Sequence, residues 1–201
     1  YLFAAEKITD QAVLIPRRGQ SLRQDQLTKF QQRYFRYPIP PKLRRRAAEG
    51  FVRPFMRRAY RRGVTNDEVG RVMRLAKVAV DDGGSFEDGI RLAVQAVLIS
   101  PNFLFRWELD GAPENPKAIR SLNEYELASR FSFFLWSSMP DDRLLELAGK
   151  AQLRKNLKQE ISRMLSDVKA GALVGNFAGQ WLQLRNLDVY QPDKKLFPMF
   201  T

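Results

Sequence analysis

From Pro41 onward, the sequence repeatedly combines a helix-starting signal with apolar residues at helical spacing. Pro41 suits the first position of a helix, and Thr65 and Glu68 have the spacing of a capping box. Apolar residues recur every fourth position after Pro41, at Leu43, Ala47, Phe51, Phe55 and Ala59. No segment shows the strict alternation of apolar and polar residues that is typical of a strand. The sequence therefore predicts an all-α fold, an irregular bundle of about six to eight helices with no sheet.

The same signals place further helices along the rest of the chain. Ser85 is predicted to cap a helix with an apolar inner face, and Ser121 and Glu124 have the spacing of another capping box. Asp141 and Asp142 follow Pro140 and are expected to begin a short helix. Two last helices are predicted near residues 156–165 and 170–184.

Proline and glycine clusters divide the chain into three predicted parts. Pro38, Pro40 and Pro41 indicate one boundary, and the loop at 111–117 indicates another. We expect a basic leading segment or linker at 1–40, a helical domain at 41–110, and a truncated helical domain at 118–201. The two helical domains are expected to pack together. Because the chain begins with Tyr1 rather than Met, we interpret it as an interior piece of a longer protein.

The excess of positive over negative charge is confined to the first third of the chain. The net charge is +12, with 34 basic and 22 acidic residues, and residues 1–64 account for all of the excess. On a helix, the spacing of Arg46, Arg53, Arg57 and Arg61 places them on one stripe. This pattern indicates a docking surface for a polyanion or an acidic partner, or else a solvated helix face whose arginines pair with acids elsewhere in the parent protein. The candidate docking residues are Arg44, Arg45, Arg46, Arg53, Arg57, Arg58, Arg61 and Arg62.

The composition excludes several kinds of chemistry. The chain has no cysteine and no histidine, so it has no disulfide, no Cys or His zinc site, no Ser-His-Asp triad and no histidine-ligated haem. Its longest apolar run, residues 1–5, is too short to span a membrane. Adjacent carboxylates at Asp141 and Asp142 fit either catalysis or the first turn of a helix, where acids complement the helix dipole. The sequence assigns no catalytic residue, no cofactor-binding residue and no metal ligand.

Four motifs occur in an order that resembles a known family. They are residues 59–65 (AYRRGVT), 100–106 (SPNFLFR), 122–142 (LNEYELASR through FFLWSSMPDD) and 176–182 (NFAGQWL). Together they resemble the paired planctomycete-specific domains of unknown function found in large proteins with cytochrome-c-type modules. Gly63 departs from the pattern, in which proline is usual, and residues 1–40 match only loosely.

The resemblance implies an extracytoplasmic protein, in the periplasm or cell envelope, but provides no established catalytic residues. It also implies that haem, if present, belongs to other parts of the parent chain, because this chain has no Cys-x-x-Cys-His motif. Other domains of the same parent chain are the expected partners, with an anionic polymer or an acidic protein as alternatives. The matched polar positions are Glu124, Arg130, Asp141 and Gln180.

Three functional hypotheses follow. The first is a non-catalytic helical scaffold or docking module of a large multidomain envelope protein associated with cytochrome-c-type modules. The second is a carboxylate-dependent enzyme domain acting on polysaccharide, which requires two acids facing one cleft. The third is binding of nucleic acid through the basic helix at 41–62.

Overall fold

The chain folds into helices, as the sequence predicts. The computed structural model describes residues 1–16, 22–106, 108, 114, 115, 117, 119–184, 193, 195, 196, 198 and 199. Within these residues there is no strand, and the all-α prediction is confirmed. No helix in the described part of the chain is both long and apolar enough to cross a membrane. The chain divides into two compact units, Tyr1–Ser121 and Leu122–Thr201.

Unit 1 is built around three helices that surround one aromatic core. Its helices are α1 (Leu2–Ala12), α2 (Lys29–Tyr34), α3 (Pro41–Tyr60), α4 (Asn66–Asp81), α5 (Phe86–Leu98) and α6 (Pro101–Leu104), with a 3-10 turn at Gln24–Gln26. Helices α4 and α5 form the largest contact, and α1 and α3 both pack on α5. Phe51 of α3 lies at the centre of the core, where its ring contacts those of Phe30, Tyr34 and Phe35.

The predicted helix starts of α4 and α5 are confirmed. The Thr65 hydroxyl accepts a hydrogen bond from the Glu68 amide (3.2 Å), and the Glu68 carboxylate accepts one from the Thr65 amide (2.8 Å). Ser85 and Asp88 exchange the same pair of bonds at the start of α5. Each pair satisfies backbone amides that have no partner inside the helix.

The predicted apolar face of α3 is only partly right. Phe51 and Ala59 are buried, but Leu43 is half exposed. The core face instead includes Ala48, Val52 and Met56. Leu43 lies in the first turn of α3 and is not among the side chains that pack on the core, whereas Ala47 and Phe55 are. The prediction from four-residue spacing therefore placed the buried face of α3 one turn too far toward its N-terminus.

Unit 2 has a core of its own. Its helices are α7 (Glu124–Trp136), α8 (Asp142–Gly149), α9 (Leu157–Leu165) and α10 (Gly179–Trp181), with a 3-10 turn at Val168–Ala170 and a π-helical stretch at Leu173–Ala178. Trp136 is buried among apolar side chains that include Leu144, Leu153 and Met164. Its indole N–H donates to the Met164 carbonyl oxygen at 2.9 Å, so the polar edge of the ring is also satisfied.

The helix α7 begins two residues later than the predicted capping box. Its N-cap is Asn123, which exchanges hydrogen bonds with Glu126 at 2.7 and 2.9 Å. The expected pairing of Ser121 with Glu124 is therefore wrong. Starting the helix at Glu124 leaves that carboxylate able to accept from the Arg154 amide at 3.1 Å, which ties the start of α7 to the segment before α9.

Candidate docking face

The exposed side of α3 carries a line of positive charges. At 100° per residue, Lys42, Arg46, Arg53 and Arg57 fall within an arc of about 60°, on the opposite side of α3 from the core residue Phe51. We call these four residues the basic stripe. They span fifteen residue steps, so the stripe is about 22 Å long at 1.5 Å per residue.

The cations of the stripe have few partners of their own. Lys42 and Arg46 are exposed, Arg53 and Arg57 are half-buried, and none of the four forms an ion pair with another described residue. The Arg53 guanidinium donates to the Asn66 side-chain oxygen at 2.8 Å, which steadies it without neutralising it. Glu49 is the single acidic residue of α3 and lies beside the stripe. The stripe therefore presents nearly uncompensated positive charge to solvent.

Three of the candidate arginines lie on α3 but outside the stripe. Arg45 is exposed on another side of the helix, and Arg58 is half-buried and engaged in an interaction. Arg44 lies on the core side of the first turn, where it borders a cavity described below.

Arg61 does not lie on the candidate docking surface, which corrects its predicted place on the stripe. It ends α3 in the left-handed conformation (φ 56°), and 7% of its surface is exposed. Its guanidinium lies within hydrogen-bond distance of four carbonyl oxygens: Ala59 (3.0 Å), Asn102 (3.0 Å), Phe103 (3.1 Å) and Phe105 (2.8 Å). The turn out of the helix rotates Arg61 away from the solvent-facing stripe. Burial, together with the nearby charge of Arg106, lowers the pKa of Arg61.

Arg62 likewise serves the fold. Its guanidinium binds the Glu68 carboxylate through two hydrogen bonds, at 2.7 and 3.2 Å, and donates to the Asn102 side-chain oxygen at 3.0 Å. It also lies over the Tyr60 ring, 5.5 Å from the centroid. The bonds to Glu68 raise the pKa of Arg62, and Arg62 in turn lowers the pKa of Glu68 to about 2. Arg62 therefore joins the end of α3 to α4 and α6.

The four polar positions proposed in unit 2 have different surroundings. Glu124 pairs with Arg154, and Asp141 caps α8 by accepting from the Leu144 amide at 2.9 Å. Arg130 and Gln180 are both exposed. Both acids therefore lie at the starts of helices, Glu124 in the first turn of α7 and Asp141 at the N-cap of α8.

Sequence reasoning missed an ion-pair network at the base of α8 and α9. Glu160 is fully buried and accepts from Arg143 and Arg163, both at 2.7 Å. Arg163 also donates to Asp141 at 2.8 Å and lies over the Trp136 ring. The spacing of Glu160 and Arg163, three residues apart on one helix, was a usable signal for the pair. Its burial depends on residues of α8 and was not predictable from α9 alone.

The described residues include no group of three or more carboxylates arranged to hold a metal ion. Of the two carboxylates considered for catalysis, Asp141 caps α8 and pairs with Arg163, and Asp142 lies in the first turn of α8. What the structure does present at its surface is the basic stripe of α3.

Comparisons with known proteins identify two domains in the chain. No curated protein and no solved structure matches it. One family model, PSD5, a protein of unknown function (DUF1595), matches residues 47–108, which run from the middle of α3 past α6. Another, PSD4, a protein of unknown function (DUF1592), matches residues 122–201, the same residues as unit 2. Residues 47–108 are therefore similar to the DUF1595 family and residues 122–201 to the DUF1592 family, both of unknown function.

Proposed function

We propose that this chain is a non-catalytic docking module that binds a linear polyanion along the basic stripe of α3. The observation that carries the proposal is the stripe itself: four cations in a line of about 22 Å, without ion pairs to other described residues. Such a line of charge attracts a chain of regularly spaced phosphate or sulfate groups.

The shape of the stripe favours a thread-like partner over a broad acidic surface. It is long and only one residue wide, so an extended polymer can follow it while a globular partner meets it along a single edge. Arginine at three of the four positions supports the same conclusion, because its planar fork can donate two parallel hydrogen bonds to one phosphate or sulfate group.

The separation of the arginines into two groups strengthens the proposal. Arg61 donates hydrogen bonds to carbonyl oxygens, and Arg62 donates to Glu68. These bonds within the protein account for both arginines without a binding partner. No comparable internal use explains Arg46 or Arg57. With Arg61 and Arg62 set aside, Arg46, Arg53 and Arg57 remain on the stripe beside Lys42, while Arg44, Arg45 and Arg58 lie elsewhere on α3.

The carboxylate-dependent enzyme hypothesis finds less support. Glu124, Asp141 and Asp142 all lie at helix starts, where acids complement the helix dipole. Asp141 is also neutralised by Arg163. We further propose that the module is part of a larger multidomain protein of the cell envelope that is associated with cytochrome-c-type modules, as the resemblance of its motifs implies.

The proposal is tested by titrating the full chain with heparin and with duplex DNA over a salt series. The test variant carries R46Q, R53Q and R57Q, and the matched control carries K29Q, K155Q and K158Q. All three control lysines are exposed, and none belongs to α3: Lys29 begins α2, Lys155 precedes α9 and Lys158 lies in α9. Both variants lower the net charge equally, so any difference between them comes from position.

We expect the stripe variant to bind more weakly and with a flatter salt dependence than the control. For duplex DNA, the loss of three phosphate contacts reduces the slope of log K against log salt by about 2.7. Equal effects in the two variants, or no binding to either polymer at low salt, refute the proposal. Binding to DNA but not to heparin identifies the polymer as nucleic acid, while the reverse identifies a sulfated polysaccharide.

A further inference from the structure

A small cavity lies in unit 1 where the start of α3 meets the start of α5. Its volume is about 120 Å³, room for about four water molecules at roughly 30 Å³ each. The lining residues that matter here are Tyr37, Pro38, Ile39, Arg44, Phe86 and Glu87. Among the described residues that line it, one is acidic, one is basic, and Pro38, Ile39 and Phe86 contribute apolar side chains.

The acidic side chain is buried and only partly satisfied. Glu87 is 7% exposed, and one of its carboxylate oxygens, Oε1, accepts a hydrogen bond from the Tyr37 hydroxyl at 2.6 Å. Burial and the bond to Glu87 raise the pKa of Tyr37, so its hydroxyl keeps its proton and remains the donor. The second oxygen, Oε2, has no hydrogen-bond partner among the described residues and is not enclosed by them. That oxygen is available to a ligand in the cavity.

The burial of this carboxylate is not explained by the fold alone. Within the described residues, no cation lies within ion-pair distance of Glu87. Its place in the first turn of α5 is favourable for negative charge, but this effect is small beside the desolvation of a carboxylate. A buried carboxylate that faces a cavity is the arrangement expected where a ligand supplies the missing positive charge.

The basic side chain completes the site. Arg44 borders the same cavity, is exposed, and makes no hydrogen bond or ion pair with another described residue. Arg44 and Glu87 are thus not paired with each other, although they line one space. A molecule that carries both charges can satisfy both side chains at once.

We propose that this cavity binds a small zwitterion, an α-amino acid with a short side chain. Its ammonium group donates to Glu87, its carboxylate accepts from Arg44, and its side chain contacts Pro38, Ile39 and Phe86. Glycine and alanine have the right charges and are small enough for the cavity. The site is separate from the basic stripe and does not depend on polyanion binding.

The test is a titration of the full chain with glycine and with L-alanine, followed by amide chemical shifts. Methylamine and acetate, which each carry one of the two charges, are titrated in parallel. The variants are E87Q and R44Q, and R45Q serves as the control because Arg45 is the neighbouring exposed arginine on another side of α3. Glutamine at position 87 retains an acceptor for the Tyr37 hydroxyl, so the local fold is preserved.

We expect saturable binding of glycine or alanine, with shifts around the cavity and a dissociation constant at least tenfold higher in E87Q and in R44Q. The R45Q variant binds as the wild type does, and methylamine and acetate bind more weakly than the zwitterions. Unfolding of ligand-free E87Q gives a second readout: its stability is equal to or above wild type, because a buried charge has been removed.

Two results overturn the inference. One is the absence of saturable binding of either amino acid to the wild-type chain. The other is binding that is unaffected by E87Q and R44Q, which places the ligand elsewhere. A loss of stability in E87Q without any ligand binding by the wild type assigns the carboxylate to the fold.

Discussion

Replacement of Glu68 by glutamine measures the energy of the Arg62–Glu68 pair. The pKa of Glu68 is lowered from 4.5 to about 2, first by its hydrogen bonds with Arg62 and also by those with Thr65. A shift of this size corresponds to about 3 kcal/mol at 1.36 kcal/mol per unit. The Arg62 side chain is 37% exposed, and solvent screening there reduces the expected contribution to about 2 kcal/mol.

The sign of the pH dependence follows from the direction of the shift. Because the folded-state pKa lies below the unfolded-state value, the stabilisation is present above about pH 4.5 and is lost as the pH falls toward 2. The E68Q variant should therefore be less stable than wild type by about 2 kcal/mol at pH 7. At pH 3 the difference should fall below about 1 kcal/mol, since the wild type has by then lost most of the same energy.

The assay is urea unfolding at pH 7 and pH 3, followed through NMR signals of unit 1 so that the unfolding of unit 2 does not contribute. E49Q is the control, because Glu49 is exposed on α3 and makes no hydrogen bond or ion pair with another described residue. It should change stability by less than about 0.5 kcal/mol at either pH. If E68Q loses the same free energy of unfolding at both pH values, the reasoning is refuted. A loss that does not depend on pH does not arise from the charge of Glu68.

Three other substitutions test packing and burial. A Cβ at Gly89 comes within 2.8 Å of the Ala76 carbonyl oxygen, so G89A should force α4 and α5 apart and cost about 1–3 kcal/mol in chemical denaturation. G50A, where a Cβ meets nothing within 4 Å, should instead stabilise α3 by about 0.5–1 kcal/mol, and a loss there contradicts the packing argument. E160A leaves two arginine guanidinium groups without their shared buried carboxylate and should destabilise unit 2 by about 3 kcal/mol, measured by urea unfolding followed through Trp136. A change below about 1 kcal/mol shows that solvent replaces the carboxylate.

Most of the correct predictions came from signals within a few residues of sequence, such as helix caps. Thr65 and Ser85 begin helices because their side chains satisfy amides two or three residues away, and this chemistry is complete within four residues of sequence. The same rule was ambiguous near α7, where Ser121 and Asn123 each have an acid three residues later. The choice of Asn123 leaves Glu124 paired with Arg154, a partner thirty residues along the chain, and no local rule contains that information.

The sequence predicted that a stripe of arginines lies on α3, but it did not predict correctly which arginines belong to it. Helical spacing identified Arg46, Arg53 and Arg57 correctly as one face of α3. The inclusion of Arg61 failed because its environment is set by carbonyl oxygens more than forty residues away. The cavity beside Glu87 was not foreseen for the same reason, since it forms where Tyr37 and α5 come together across fifty residues of sequence.

The guanidinium of Arg61 occupies the meeting point of two helix ends. Its partners include the Ala59 carbonyl oxygen at the end of α3 and those of Asn102, Phe103 and Phe105 at the end of α6. Both ends carry partial negative charge, so Arg61 acts as a counter-ion that is covalently attached and cannot dissociate. Dissolved salt screens the exposed stripe but hardly reaches this buried cation. Higher ionic strength should therefore weaken the proposed docking by α3 without breaking the contacts that Arg61 makes between the ends of α3 and α6.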